Sequence, residues 1–307
     1  MSTVSNSTNE TIIENSKSIL ASYDYPITLR QLYYRLVSRG MINDQHSYSR
    51  LIRLMTRARE QRIVDPDSIE DRNRLLLNYI GMYDFDYDVN KFFSARLKYF
   101  RESHQRFTLD VWHHQEYRVE VWSEKDAVRT ELLLGAEKYR CPVCICRGYS
   151  SFSFIHALLK RQEEIENWTS GQTILILYFG DRDPSGEDMV RDLQERIFRY
   201  SKDYQIDNYP IVYKVALTDK QVTELQLPPA PSKPSDSRNK KFVEKHGNVA
   251  AVELDAIPPE LLTQMVETSI HAMIDQTEWN KSVVEENSRR EKLKEKLESW
   301  YQKGSAS

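Results

Sequence analysis

Apolar residues between Thr28 and Gly40 return at the three-and-four spacing of one helical face: Leu29, Leu32, Tyr33, Leu36 and Val37. Thr28-x-x-Gln31 is a capping-box signature that opens this helix, and Gly40 sits where a C-terminal cap belongs. A helix is also expected over roughly Glu10 to Ser22, ended by Tyr23-Asp24-Tyr25-Pro26. After a short link, Met41 to Gln45, a further helix is expected from about Ser47 to Gln61, with Leu51, Ile52, Met55 and Ala58 as its apolar side. Two short helices joined by a tight glycine-containing link read as helix-turn-helix, with Ile63 to Arg74 as a wing. Residues 75–110 are poorly patterned and read as a connection between domains.

From Glu116 the rhythm changes. Strands are expected at Arg118–Trp122, Val143–Arg147, Thr173–Phe179 and Ile211–Ala216, and a last one at Ala250–Leu254. Helices are expected between them, from Lys125 to about Tyr139, from Ser151 to about Trp168, and from Ser185 to about Tyr200. Alternating strand and helix means a parallel α/β sheet with right-handed crossovers. Pro228–Asn239 reads as a loop, residues 258–275 as helical, and residues 281–303 as a highly charged terminal helix. The domain reading is a tail and helix over 1–25, a winged-helix domain with its connector over 26–110, and an α/β domain with C-terminal helices over 111–307.

Composition adds bounds. The chain has 307 residues, room for about two domains of ~150 residues each. Its 40% hydrophobic and 29% charged content is ordinary for a globular protein. The longest apolar runs are strand-sized and the start is polar, so a soluble cytoplasmic protein without membrane contact is expected. Cys141, Cys144 and Cys146 lack a second pair of ligands at zinc spacing and read as small apolar residues entering a buried strand. Net charge is −3, but between Thr28 and Arg62 eight arginines face two acids, Asp44 and Glu60. Arg50, Arg53 and Arg57 stack along one side of the second helix, and arginine suits phosphate by geometry as well as charge.

The strongest local signal is Leu177-Tyr178-Phe179-Gly180-Asp181-Arg182-Asp183-Pro184-Ser185-Gly186. An apolar strand ends and two carboxylates follow at i and i+2, a spacing that puts both on one side of extended backbone. Ser185-x-x-Asp188 is expected to cap the next helix. Glu124 falls at the carboxyl end of an earlier strand, where α/β sheets bind ligands. Carboxylates so gathered repel unless a cation lies between them, and hard oxygen donors suit Mg²⁺. Lys125 is placed to hold a phosphate.

Glu124 followed by Asp181-x-Asp183 in a βαβ framework resembles the Toprim domain of topoisomerases, primases and related nucleases. Val119–Val128 and Tyr178–Gly186 resemble the version in the A subunit of topoisomerase VI and its meiotic double-strand-break relative. Arg147-Gly148-Tyr149-Ser150-Ser151 falls where that family has a Gly-Tyr turn, and Val252-Glu253-Leu254-Asp255-Ala256-Ile257 resembles its late acidic segment. Arg30-Gln31-Leu32-Tyr33-Tyr34 resembles the family's Arg-x-x-Tyr-Tyr stretch on its winged-helix domain. The likeness spans about residues 26–275, in a compact form similar to the Mini-A group. It implies a Rossmann-like Toprim sheet after a winged helix, with Tyr34 as the nucleophile that becomes linked to DNA. Helical spacing independently sets Tyr34 off the apolar stripe, on one face with Arg30, as an exposed phenol.

The expected function is cleavage of duplex DNA by transesterification. Tyr34, Glu124 and Arg30 are its catalytic residues, and Glu124, Asp181 and Asp183 hold Mg²⁺. Arg30, Arg50, Arg53, Arg57 and Lys125 contact DNA. The resemblance further implies a homodimer, and DNA binding sets the expected cytoplasmic location at the nucleoid. Since the chain offers no nucleotide-binding motif, either a separate ATPase subunit acts in trans or the protein only cleaves. Two alternatives stay open: a Toprim nuclease that uses water, and a DNA-binding protein without catalysis.

Overall fold

The computed structural model describes residues 8–70, 88–146, 148, 150–169, 171–230 and 250–304. Two compact units emerge, one from residues 1–73 with 119–273 and the other from residues 74–118 with 274–307.

The first unit opens with three helices, α1 (Asn9–Leu20), α2 (Leu29–Ser38) and α3 (Gln45–Glu60). Thr28 caps α2 with the full capping box, its side chain taking the Gln31 amide while Gln31 reaches back to the Thr28 amide. Gly40, at φ 96°, turns the chain out of α2 in the left-handed region that suits glycine. Leu32, Leu36, Leu51, Met55 and Ala58 are buried where these helices meet, alongside Ile12 and Ile19 of α1. Asp44 caps α3, which starts two residues before the expected Ser47. The expected wing contributes a 3₁₀ turn at Pro66–Ser68 and a two-residue strand, β2 (Ile69–Glu70). This strand pairs in parallel with β1 (Ile27–Thr28). Residues 71–74 of that expectation lie outside the described residues.

The remainder of this unit is α/β. Strands β3 (Tyr117–Ser123), β4 (Val143–Ile145), β5 (Thr173–Phe179) and β6 (Ile211–Ala216) form a four-stranded parallel sheet in the order β4-β3-β5-β6. Helices α5 (Arg129–Glu137), α6 (Phe152–Trp168) and α7 (Pro184–Asp203) connect them. Then come α8 (Asp219–Glu224) and α9 (Pro259–His271). Trp122, Ile174, Ile176 and Val212 of the sheet pack with Ile155, Leu158, Leu159, Leu193 and Ile197 of α6 and α7 in one buried cluster. The near-continuous apolar run Ile174–Phe179 fits a central parallel strand covered on both faces. Gly135 lets α5 and α9 approach closely, since a Cβ there would meet Val266 at 2.7 Å.

Strand order fixes the site. The chain leaves β3 for β4 on one side, then crosses back to β5 on the other. Crossovers in opposite directions create a switch point at the carboxyl ends of β3 and β5, where open α/β sheets bind ligands. The expected strand at Ala250–Leu254 does not join this sheet. Val252 makes one antiparallel bridge with Arg182, and Leu254–Ala256 form a 3₁₀ turn. Of the Gly-Tyr turn, Arg147 and Tyr149 lie outside the described residues, as do 231–239 of the expected loop.

The second unit is helical. The region read as an unpatterned connection contains α4 (Val89–Arg101); its residues 75–87 lie outside the described residues. The charged terminal helix begins earlier than expected, as α10 (Gln276–Gly304). Trp112 meets Trp279 and Phe100 meets Trp300, each pair edge-on with centroids 5.5 Å apart. Buried Glu286 accepts the Leu109 amide at 2.7 Å and pairs with Arg290 at 2.7 Å. No helix among the described residues is long and apolar enough to cross a membrane.

Candidate functional site

Glu124 follows β3 and Asp181 follows β5, and the switch point brings them into contact. The Asp181 amide donates to Glu124 Oε1 at 3.0 Å, and the Tyr178 hydroxyl donates to Oε2 at 2.6 Å. Gly180 makes the approach feasible, because a Cβ there would lie 2.8 Å from Glu124 Oε2 and 2.6 Å from the Tyr178 ring. Burial, then the charge of Asp181, pushes the Glu124 carboxyl above its ordinary range.

Two further acids, absent from the expected site, complete the cluster. The bridge between Arg182 and Val252 lays the late segment across the end of β5, and Leu254 donates its amide to Asp181 Oδ1 at 2.7 Å. Glu253 and Asp255 then reach the same point. Their i, i+2 spacing repeats that of Asp181 and Asp183, which was the signal available in the sequence.

Lys125 stands at the middle. Its Nζ lies 3.0 and 3.1 Å from the two Asp181 oxygens, 3.2 Å from Glu253 Oε2 and 3.0 Å from Asp255 Oδ1. Burial alone would favour the neutral amine, but Asp255, Asp181 and Glu253 hold Lys125 charged, well above the usual lysine range. Arg30, on α2, donates from Nε and Nη2 to the two Glu253 oxygens, and its Nε lies 3.6 Å from Asp255 Oδ2. Burial works against ionisation of Glu253, yet Lys125 and Arg30 bring its carboxyl down to about 2. Asp255, fully buried, is pushed up to about 6 by burial and by Glu253 and Asp181, against the pull of Lys125.

Tyr34 differs from its expected setting. It is 0% exposed, and among the described residues its Oη is buried without a hydrogen-bond partner. The Arg30 guanidinium lies 5.8 Å from its ring centre. Spacing along α2 alone suggested an open face, but that face is covered. Arg35 of α2 donates to the Ala256 carbonyl, and buried Gln31 donates to Glu131 at 2.7 Å. Burial, then the charges of Glu253 and Asp255, raises the Tyr34 phenol above its ordinary value.

Asp183 stands apart from this contact network. It is the N-cap of α7, its Oδ1 taking the Gly186 amide at 2.6 Å, a role expected of Ser185. The reason is local: the Asp183 backbone is still extended, but its carboxylate is committed to the first turn of α7, which starts at Pro184. On α3, Arg50 donates to Asn9 Oδ1 at 2.7 Å while Arg53 and Arg57 are exposed. Cys141 is buried, and Cys144 and Cys146 pack partly buried against the core, as a strand-entry reading expects.

The donor set can be tested against the Mg²⁺ that a Toprim site implies. Four carboxylates, Glu124, Asp181, Glu253 and Asp255, surround two cations, Lys125 and Arg30. Fully ionised, four minus two leaves an excess of two negative charges, which protonation or a divalent ion would balance. The all-oxygen chemistry suits a hard ion. As the cluster stands, no three acids, thiols or imidazoles among the described residues are disposed around a metal position, because Lys125 holds the centre. The residues therefore fit the ion in kind and charge, with an ammonium in its place. Comparison with known protein families, characterised proteins and solved structures finds no match for this chain.

Proposed function

We propose that the chain cleaves duplex DNA by transesterification, with Tyr34 as nucleophile and the acid cluster at the switch point as the phosphate-activating centre. The observation that carries this reading is the contact of Glu124 with Asp181 at the ends of adjacent central strands, with Lys125 between Asp181 and the Glu253–Asp255 pair. Lys125 and Arg30 are the cations suited to grip a phosphodiester, Arg30 with a planar fork. Tyr34 Oη forms the new bond to phosphorus as the bond to the 3′ oxygen breaks. The phenol proton leaves and the 3′ oxygen takes one up, leaving a 5′-phosphotyrosyl link and a 3′ hydroxyl. Glu124, its carboxyl raised by burial and by Asp181, is the group that handles the proton in this reading. Mg²⁺ bound by Glu124 and Asp181 would supply charge stabilisation at the phosphate.

Exposed Arg53 and Arg57 on α3 offer a duplex-facing stripe, which supports reading α2 and α3 as the recognition part of a winged helix. Cutting both strands calls for a homodimer, and strand passage would call for an ATPase partner. The test is a denaturing gel of labelled duplex incubated with the protein and Mg²⁺. Protein-linked DNA that disappears in Tyr34→Phe is expected; free ends that persist in that variant would establish hydrolysis by water instead.

A further inference from the structure

We propose that Glu253 latches a closed resting state in which Arg30 and Lys125 plug the acid cluster and Tyr34 is stored out of reach of DNA. The inference rests on the transesterase reading of Tyr34 and adds its regulation.

Three observations converge. Tyr34 is wholly enclosed and its hydroxyl bonds to nothing among the described residues. A phosphodiester on a duplex cannot reach an oxygen in that setting, so a reactive state requires α2 to move. Second, the groups best suited to hold phosphate are both spent on acids, Arg30 on Glu253 and Lys125 on Asp181, Glu253 and Asp255. Third, Glu253 bridges the two: it takes both arms of Arg30, which lies one turn before Tyr34 on the same face of α2, and also accepts from Lys125. Arg35 on Ala256 O and Gln31 on Glu131 hold the same helix to the same neighbourhood.

Opening is a partner exchange that keeps charges paired. A DNA phosphate draws off Arg30 and Lys125, and the acids they leave are free for a divalent ion. Neither event is favourable alone, since each strands buried charge. The latch thus makes release of the nucleophile conditional on DNA and metal together.

The test reads Tyr34 and α2 rather than cleavage. In the full chain without DNA, tetranitromethane nitration mapped by peptide mass spectrometry, together with amide exchange over Leu29–Ser38, should find Tyr34 unmodified and the helix protected. Glu253→Gln and Arg30→Gln should each raise both signals by roughly tenfold or more, the shift expected when one partner of a buried ion pair is removed. Protection equal to wild type in both folded variants overturns the latch. Should either variant fail to fold, the wild type decides. Mg²⁺ with a short duplex should raise α2 exchange when both are present and not when either is alone; an equal response to Mg²⁺ alone overturns the proposal. A denaturing gel run in parallel separates the two claims. An adduct formed with no opening of α2 refutes the latch and leaves transesterification standing. Opening with no adduct refutes transesterification and leaves the latch.

Discussion

Lys125→Met is the sharpest perturbation of the cluster. The side chain is 15% exposed and its ammonium contacts three carboxylates at 3.0–3.2 Å. Methionine keeps the length and removes the charge, leaving Asp181, Glu253 and Asp255 to face one another with Arg30 as their remaining cation. Breaking a buried pair in this way costs about 3–5 kcal/mol. Proton uptake by Asp255, already held up to about 6, relieves part of that, so ~2–4 kcal/mol is expected at neutral pH. At about 2–4 °C per kcal/mol for a domain of this size, the melting temperature should fall by roughly 5–15 °C. Mg²⁺ should then restore stability in the variant, by about 2.7 kcal/mol at a hundredfold excess over its dissociation constant. The wild type should gain less, because Lys125 competes for the position. Differential scanning calorimetry of both proteins across a Mg²⁺ series reads this directly. A variant as stable as wild type, or equal Mg²⁺ responses in the two, would refute the idea that Lys125 stands in for a cation.

Other outcomes follow from named contacts. Tyr34→Phe removes a buried hydroxyl that lacks a partner, so chemical denaturation should show it more stable, by about 1 kcal/mol, even as DNA linkage is lost. Gly180→Ala drives a methyl into Glu124 and the Tyr178 ring; a loss of about 1–3 kcal/mol is expected, with Mg²⁺ affinity by titration calorimetry falling alongside. Asp255 binds its proton more tightly folded, at about 6 against 3.8, so its contribution favours the fold below about pH 4 and declines as pH rises to 6. Asp255→Asn should cancel that decline, gaining on wild type by ~3 kcal/mol between these pH values; parallel pH profiles of melting would contradict it. Arg53→Gln and Arg57→Gln should each lower the salt slope of duplex binding by about one, measured by fluorescence anisotropy; unchanged slopes would remove α3 from the interface.

The sequence was informative wherever a short-range rule applied. Thr28, Gln31 and Gly40 punctuate α2 as their chemistry requires, and alternation of strand and helix gave the parallel sheet. Glu124 and Asp181 were legible because each lies within two residues of the end of a strand that the switch point sets beside the other. Asp183 keeps the extended backbone that the i, i+2 spacing expects, while its carboxylate caps α7. Tyr34 looked open because periodicity sees only its own helix. The segment that carries Glu253 and Asp255 to the ions beside it lies some 220 positions later. That segment was itself misread as a strand, since Val252 and Leu254 alternate, yet only one bridge forms before the chain turns. Helix α4 escaped notice because its aromatic positions, among them Phe92, Phe93 and Phe100, remain substantially exposed and its pattern does not resemble a buried stripe.

The central claim is that Tyr34 is the oxygen that attacks DNA. Incubating the protein with duplex and Mg²⁺, digesting both polymers and sequencing the peptides by tandem mass spectrometry tests it at one atom. A nucleotide phosphate on the peptide containing Tyr34, with the mass localised to that side chain, is the predicted result. Cleaved DNA bearing free 5′ phosphates with every tyrosine unmodified would contradict the account.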